Sequence, residues 1–121
     1  MNKKILVVDD ESHIRMLYQE ELQATGFEVA LSDGQEPIMQ VIEREKPDAV
    51  VLDIKLAGAV TGLDLLQTIR AANTTLPVIL SSAFESFQYD LKAIAANAYC
   101  VKSIDLTGLK ETISSVLANK K

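Results

Sequence analysis

The chain has 121 residues, of which 48% are hydrophobic and 24% charged, and it carries a net charge of −5. That is enough apolar matter for the core of one domain and argues against disorder, while the acidic balance argues against direct nucleic-acid binding, which draws on a basic face. One cysteine, Cys100, and one histidine, His13, exclude a disulfide framework and a zinc site built from several Cys or His.

The first predicted strand is the β-branched run Ile5-Leu6-Val7-Val8, which ends at once in Asp9-Asp10-Glu11. So short a run, with no small-residue cleavage site after it, is not a signal peptide. No other apolar run approaches the roughly 18–20 residues that span a bilayer. The expectation is a cytoplasmic protein that does not enter the membrane, with residues 1–121 forming one domain and no room for a second, output-type one.

A helical pattern follows, with Ile14, Leu17, Tyr18 and Leu22 at three- and four-residue spacing. Ser12 is the expected N-cap and Gly26 the C-terminal glycine. Residues 28–31 are a weaker strand candidate. Ile38, Met39, Val41 and Ile42 mark the second helical pattern, with Pro37 tolerated in its first turn. Ala49-Val50-Val51-Leu52 is a strand introduced by Pro47-Asp48; Leu63, Leu65, Leu66 and Ile69 mark the third helical pattern. Val78-Ile79-Leu80 is a strand introduced by Leu76-Pro77; Phe87, Leu91, Ile94 and Ala95 mark the fourth helical pattern. Residues 98–101 are another weaker strand, and Leu106, Leu109, Ile113, Val116 and Leu117 mark the fifth helical pattern.

Strand and helix thus alternate five times. This pattern predicts an α/β fold of the (βα)5 type: a doubly wound, five-stranded parallel sheet with helices on both faces, in one of the few doubly wound topologies that right-handed crossovers allow. Ligands in such sheets sit beyond the carboxyl ends of the strands. At those ends the sequence places Asp9-Asp10, Asp53, Ser81-Ser82 and Lys102. Gathered carboxylates repel one another unless a cation lies among them. An all-oxygen set suits Mg²⁺, or Mn²⁺, better than zinc or copper. With a hydroxyl and a lysine nearby, the set suits transfer of a phosphoryl group onto a carboxylate. Taken singly, Asp9 and Asp10 would equally suit the positive end of a helix, and Ser81 reads as a plain loop serine. His13 reads as an exposed surface histidine, and Cys100 as a small core residue.

Five segments together resemble the receiver domain of two-component response regulators, the family of the single-domain chemotaxis and sporulation regulators. They are Ile5-Leu6-Val7-Val8-Asp9-Asp10-Glu11, Val50-Val51-Leu52-Asp53-Ile54, Gly62-Leu63-Asp64-Leu65-Leu66, Pro77-Val78-Ile79-Leu80-Ser81-Ser82-Ala83 and Ala98-Tyr99-Cys100-Val101-Lys102. The resemblance implies that Asp53 is the phosphoacceptor, that Asp10, Asp53 and the backbone carbonyl of Lys55 bind Mg²⁺, and that Asp9 acts through a water. It also implies that Ser82 and Lys102 contact the phosphoryl group, and that Ser82 and Tyr99 form the switch. The implied partners are a sensor histidine kinase or histidine phosphotransfer protein and an unidentified downstream protein. The chain would be a monomer or a phosphorylation-dependent dimer, and not an enzyme beyond its own phosphorylation and dephosphorylation.

Some positions depart from the family pattern. Ser103 replaces the proline whose cis bond usually follows the lysine, and a cis bond before a non-proline costs about 3–4 kcal/mol. Ala57 also replaces a proline, the segment 55–61 is one residue longer than usual, and Ala95-Ala96-Asn97 lacks the usual glycine. Ser82 stands where threonine is common. Phe84, at a position that influences acyl-phosphate lifetime in the family, is expected to hinder the attacking water. These departures motivate an alternative, a phosphorylation-independent pseudo-receiver that acts only as an interaction module. An aspartyl-nucleophile phosphatase is a further alternative; it would usually carry an acidic residue where Lys55 stands.

Overall fold

A computed structural model describes residues 2–53, 61–82, 98–101 and 106–118, with the backbone alone described at Ser82 and at 98–101. Five strands, β1 (Lys4–Val8), β2 (Glu28–Ser32), β3 (Ala49–Asp53), β4 (Val78–Ser82) and β5 (Ala98–Val101), form one sheet. Every pairing is parallel and the order is β2-β1-β3-β4-β5. The described helices are α1 (Ser12–Ala24), α2 (Ile38–Glu45), α3 (Gly62–Ala72) and α4 (Thr107–Ala118). Thus α4 is the fifth helical pattern of the sequence; the fourth, at Phe87, Leu91, Ile94 and Ala95, lies outside the described residues.

The apolar runs became strands because both faces of the sheet are covered. Side chains alternate across a strand, and the core divides accordingly. Leu6, Val8, Val50, Leu52, Val78 and Leu80 pack with Ile38, Val41 and Ile42 of α2 and with Leu63, Leu65, Leu66 and Ile69 of α3. Ile5, Val7, Ala49, Val51 and Ile79 pack on the opposite face with Tyr18 and Leu22 of α1 and with Leu109 and Ile113 of α4. At about 25 cal/mol per Å² of apolar area removed from water, these two layers supply the main favourable term of folding.

Helix ends follow local chemistry, with two corrections to the expected caps. Ser12 is not the N-cap of α1. Glu11 holds that position with extended backbone and no side-chain cap bond. The reason is Asp9, whose Oδ1 accepts from the Glu11 N–H at 3.0 Å; that turn brings the chain into the helix one residue earlier. Likewise Pro37 precedes the first turn of α2 as its N-cap, at φ −53°, and does not lie within it.

The far end of α1 matches expectation. Gly26 has φ +107°, its N–H bonds the Gln23 carbonyl at 3.0 Å, and the Phe27 N–H bonds the Leu22 carbonyl at 3.1 Å. This paired closure places a glycine in the left-handed region just past the helix.

Candidate functional site

The strand order reverses between β2 and β3, on either side of β1, so the crevice of this topology opens at the carboxyl ends of β1 and β3. Alternation decides what faces it. Asp9 lies two residues beyond Val7, and Asp53 two beyond Val51, so both continue the row that faces α1 and α4. Asp9 is 2% exposed and Asp53 4%, while Asp10 is half-buried. Each of these three carboxylates offers an oxygen within 4.8 Å of the other two. The sequence placed them at separate strand ends, and the sheet brings them to one point.

Asp9 is fixed from several directions. Its N–H donates to the Ser32 carbonyl at 3.0 Å, extending the β1–β2 ladder one residue past the strand. Its Oδ1 accepts from the Glu11 N–H, as above. Its carbonyl accepts from Arg15 Nη1 at 2.6 Å. Ser32 is tied in turn: its Oγ accepts the Gly34 N–H at 3.2 Å.

Buried carboxylates this close repel strongly unless positive charge is supplied. A divalent cation fits the donor set. Mg²⁺ takes oxygen ligands at about 2.0–2.1 Å, so two oxygens on one ion stand at most roughly 4.2 Å apart. Oxygens already within 4.8 Å need little movement to share an ion, directly or with one reaching it through water.

Ser81 differs from its expected role as a loop serine. It lies inside β4, is 2% exposed, and pairs in register with Asp53. Ser82 ends β4 one residue later, and Tyr99 lies in β5 opposite Leu80; their side chains, and Lys55, Ala57, Phe84, Asn97, Lys102 and Ser103, lie outside the described residues. His13 is exposed, with its Nε2 3.1 Å from a Glu11 carboxylate oxygen. That is a surface pair at the start of α1, in keeping with the plain reading of this residue.

Two features of this region were not anticipated. One is Arg15, one turn into α1, whose reach back to Asp9 has no simple spacing rule. The other was readable: Thr61 and Asp64 form a capping box at the start of α3, with the Asp64 N–H bonding Thr61 Oγ1 at 3.2 Å and the Thr61 N–H bonding Asp64 Oδ2 at 3.0 Å. Thr-x-x-Asp before an apolar run is the signature of that motif.

The opposite end of the sheet is chemically different. A cleft of about 400 Å³ there is lined by Asn2, Lys4, Glu28, Lys46 and Asp48. Lys4 Nζ there pairs with Glu45, outside the lining, at 2.9 Å, and the backbone N–H of Lys4 bonds the Asp48 carboxylate at 2.8 Å. No helix among the described residues is long and apolar enough to cross a membrane.

A family model for the response regulator receiver domain matches residues 5–114. Among curated proteins, the transcriptional regulatory protein ZraR of Salmonella typhimurium is 38% identical over 120 residues, which are 95% of this chain and 26% of that protein. The chain therefore spans about a quarter of that regulator. The sporulation initiation phosphotransferase F of Bacillus subtilis is 26% identical over 122 residues, covering 99% of this chain and 98% of that one. Among solved structures, the response regulator TrrA of Thermotoga maritima, in complex with Mg²⁺-BeF, superposes with a TM-score of 0.88 at 37% identity, covering 94% of this chain and 98% of TrrA. A complex of the histidine kinase ThkA with TrrA matches at a TM-score of 0.87 and 36% identity, covering 95% of this chain and 98% of the matched chain.

Proposed function

The chain belongs to the response regulator receiver domain family, and from that premise we propose that it accepts a phosphoryl group on Asp53 from a sensor histidine kinase or histidine phosphotransfer protein and thereby switches a protein-binding surface. The observation that carries the reading is the convergence of Asp9, Asp10 and Asp53 at the switch point of the sheet. The TrrA complexes with Mg²⁺-BeF and with a histidine kinase, and the name of the sporulation phosphotransferase, support the same chemistry.

Asp53 suits the acceptor role. It ends a strand that is buried along its length, and it stays in register with Ser81 of β4 one residue past the last β1 pairing at Leu52. An Asp53 carboxylate oxygen attacks phosphorus, the bond from phosphorus to the donor nitrogen breaks, and the nitrogen keeps the electron pair. The product is an acyl phosphate on Asp53. Hydrolysis by water breaks its phosphorus–oxygen bond and returns the carboxylate. Asp10, Asp53 and the Lys55 carbonyl would hold Mg²⁺, with Asp9 acting through water. These residues would thereby place positive charge against the entering phosphoryl oxygens. Lys102 and Ser82 are the proposed phosphoryl contacts, and Ser82 with Tyr99 the proposed relay.

Phosphorylation adds about −1.5 to −2 charges and new acceptor oxygens at one point, which is enough to bias a two-state surface. The output is a change in affinity for a downstream protein, in the cytoplasm, and the chain's chemistry is confined to its own aspartyl phosphate. The test is intact mass after incubation with acetyl phosphate, with and without Mg²⁺. One phosphoryl group is gained only with Mg²⁺, and Asp53→Asn gains none. No gain in the native chain overturns the proposal in favour of a phosphorylation-independent interaction module.

A further inference from the structure

Arg15 stands outside the acidic cluster, yet its Nη1 bonds the Asp9 carbonyl at 2.6 Å, closer than the 3.0 Å bonds made by the Asp9 and Glu11 N–H groups. That carbonyl belongs to the peptide joining Asp9 to Asp10. The preceding peptide is held by the Asp9 N–H on Ser32, and the side chain of Asp9 by the Glu11 N–H. With those points tied, the carbonyl is what sets the direction in which the chain leaves β1, and so where Asp10, the half-buried member of the cluster, stands.

We infer that Arg15 is a positioning residue for the metal: through the Asp9 carbonyl it fixes the Asp9–Asp10 peptide and holds the Asp10 carboxylate where Mg²⁺ is bound. This rests on the metal reading above. A charge-assisted bond to a backbone carbonyl is strong and directional, and α1, packed on the sheet through Tyr18 and Leu22, gives the guanidinium a rigid base.

By electrostatics alone, a guanidinium held on the Asp9 carbonyl opposes a second cation at the cluster, so removing it should tighten Mg²⁺ binding. If Arg15 positions the pair, removing it weakens binding instead. Groups that orient ligands from outside the coordination shell typically contribute about 10–100-fold in affinity.

The test is calorimetric titration of Mg²⁺ into the native chain and into Arg15→Met, which keeps the aliphatic stem and loses the donors. The comparator is Arg70→Met. Arg70 bonds the Asn73 and Leu76 carbonyls at 3.2 and 2.7 Å at the far end of α3, so its loss removes the same kind of bond away from the cluster. Arg15→Met is expected to bind Mg²⁺ about tenfold more weakly, with Arg70→Met within about twofold of the native chain. Equal or tighter binding by Arg15→Met overturns the inference, as does an equal loss in Arg70→Met. If the native chain binds no Mg²⁺, the metal reading itself falls and takes this role with it.

Discussion

Replacing Asp10 by Asn should stabilise the metal-free protein while abolishing most of its response to Mg²⁺. The three carboxylates each offer an oxygen within 4.8 Å of the others. At that separation two unit charges repel by about 0.9 kcal/mol in bulk water and about 3.5 kcal/mol at an effective dielectric of 20. Asp10→Asn removes two such pairs without changing side-chain shape and leaves the Asp9 bond to Glu11 intact. Asp10 is half-buried, so the lower end applies, and the variant should gain roughly 1–2 kcal/mol in EDTA. The native chain should recover the difference when metal is added, since a ligand at about 100 times its dissociation constant stabilises by about 2.7 kcal/mol. Urea denaturation in EDTA and in Mg²⁺ measures both. The expected result is a crossing: the variant more stable without metal, the native chain more stable with it. A variant that is less stable than the native chain in EDTA would refute the claim that unrelieved repulsion dominates this cluster.

Other outcomes follow from the packing. Leu22→Ala, at a fully buried position of α1, should cost about 2–5 kcal/mol in urea, whereas Met16→Ala, 59% exposed on the same helix, should change stability by no more than about 0.5 kcal/mol. Gly26→Ala meets no neighbouring atom, yet at φ +107° it is strained by its own backbone; a loss of about 1 kcal/mol or more in thermal melts is expected. On the surface, a hydrogen bond from Arg44 holds the Glu36 carboxyl below the ordinary carboxylate range, and bonds from Lys4 and then Arg44 do the same for Glu45. Carboxyl groups held low contribute stability that is present above the ordinary range and lost as pH falls through the lowered values. Arg44→Met should therefore be less stable than the native chain at neutral pH, with the gap closing on acidification and shrinking in high salt.

Much of the sheet was legible because strands buried on both faces write themselves as continuous apolar runs: β1, β3 and β4 were each placed to within a residue or two of their observed ends. The polar residues at the carboxyl ends of β3 and β4 were the more informative part. Asp53 and Ser81 belong to their strands by backbone bonding, and Ser81 is buried in register with Asp53; a periodicity reading stops at the last apolar residue and so assigns it to a loop. The convergence of Asp53 with the adjacent pair Asp9-Asp10 was legible through a rule of topology, since nothing in a separation of more than forty residues implies proximity.

Contacts that depend on the path of one turn were not legible. Ser12 is a better cap by type than Glu11, but the Asp9 side chain claims the Glu11 N–H and starts the helix first. Arg15 reaches a carbonyl six residues earlier in sequence, a distance set by how β1 turns into α1. The capping box at Thr61 and Asp64, by contrast, is a local motif and was open to reading.

If Asp53 becomes an acyl phosphate, that bond can be trapped. Acyl phosphates are reduced by borohydride, and an aspartyl phosphate leaves homoserine at the modified position. The chain should be incubated with acetyl phosphate and Mg²⁺, quenched in borohydride, digested and sequenced by mass spectrometry. Homoserine is expected at residue 53, with Asp9 and Asp10 intact. Homoserine at 9 or 10, or none at any aspartate after a verified incubation, would contradict the assignment of Asp53 as acceptor.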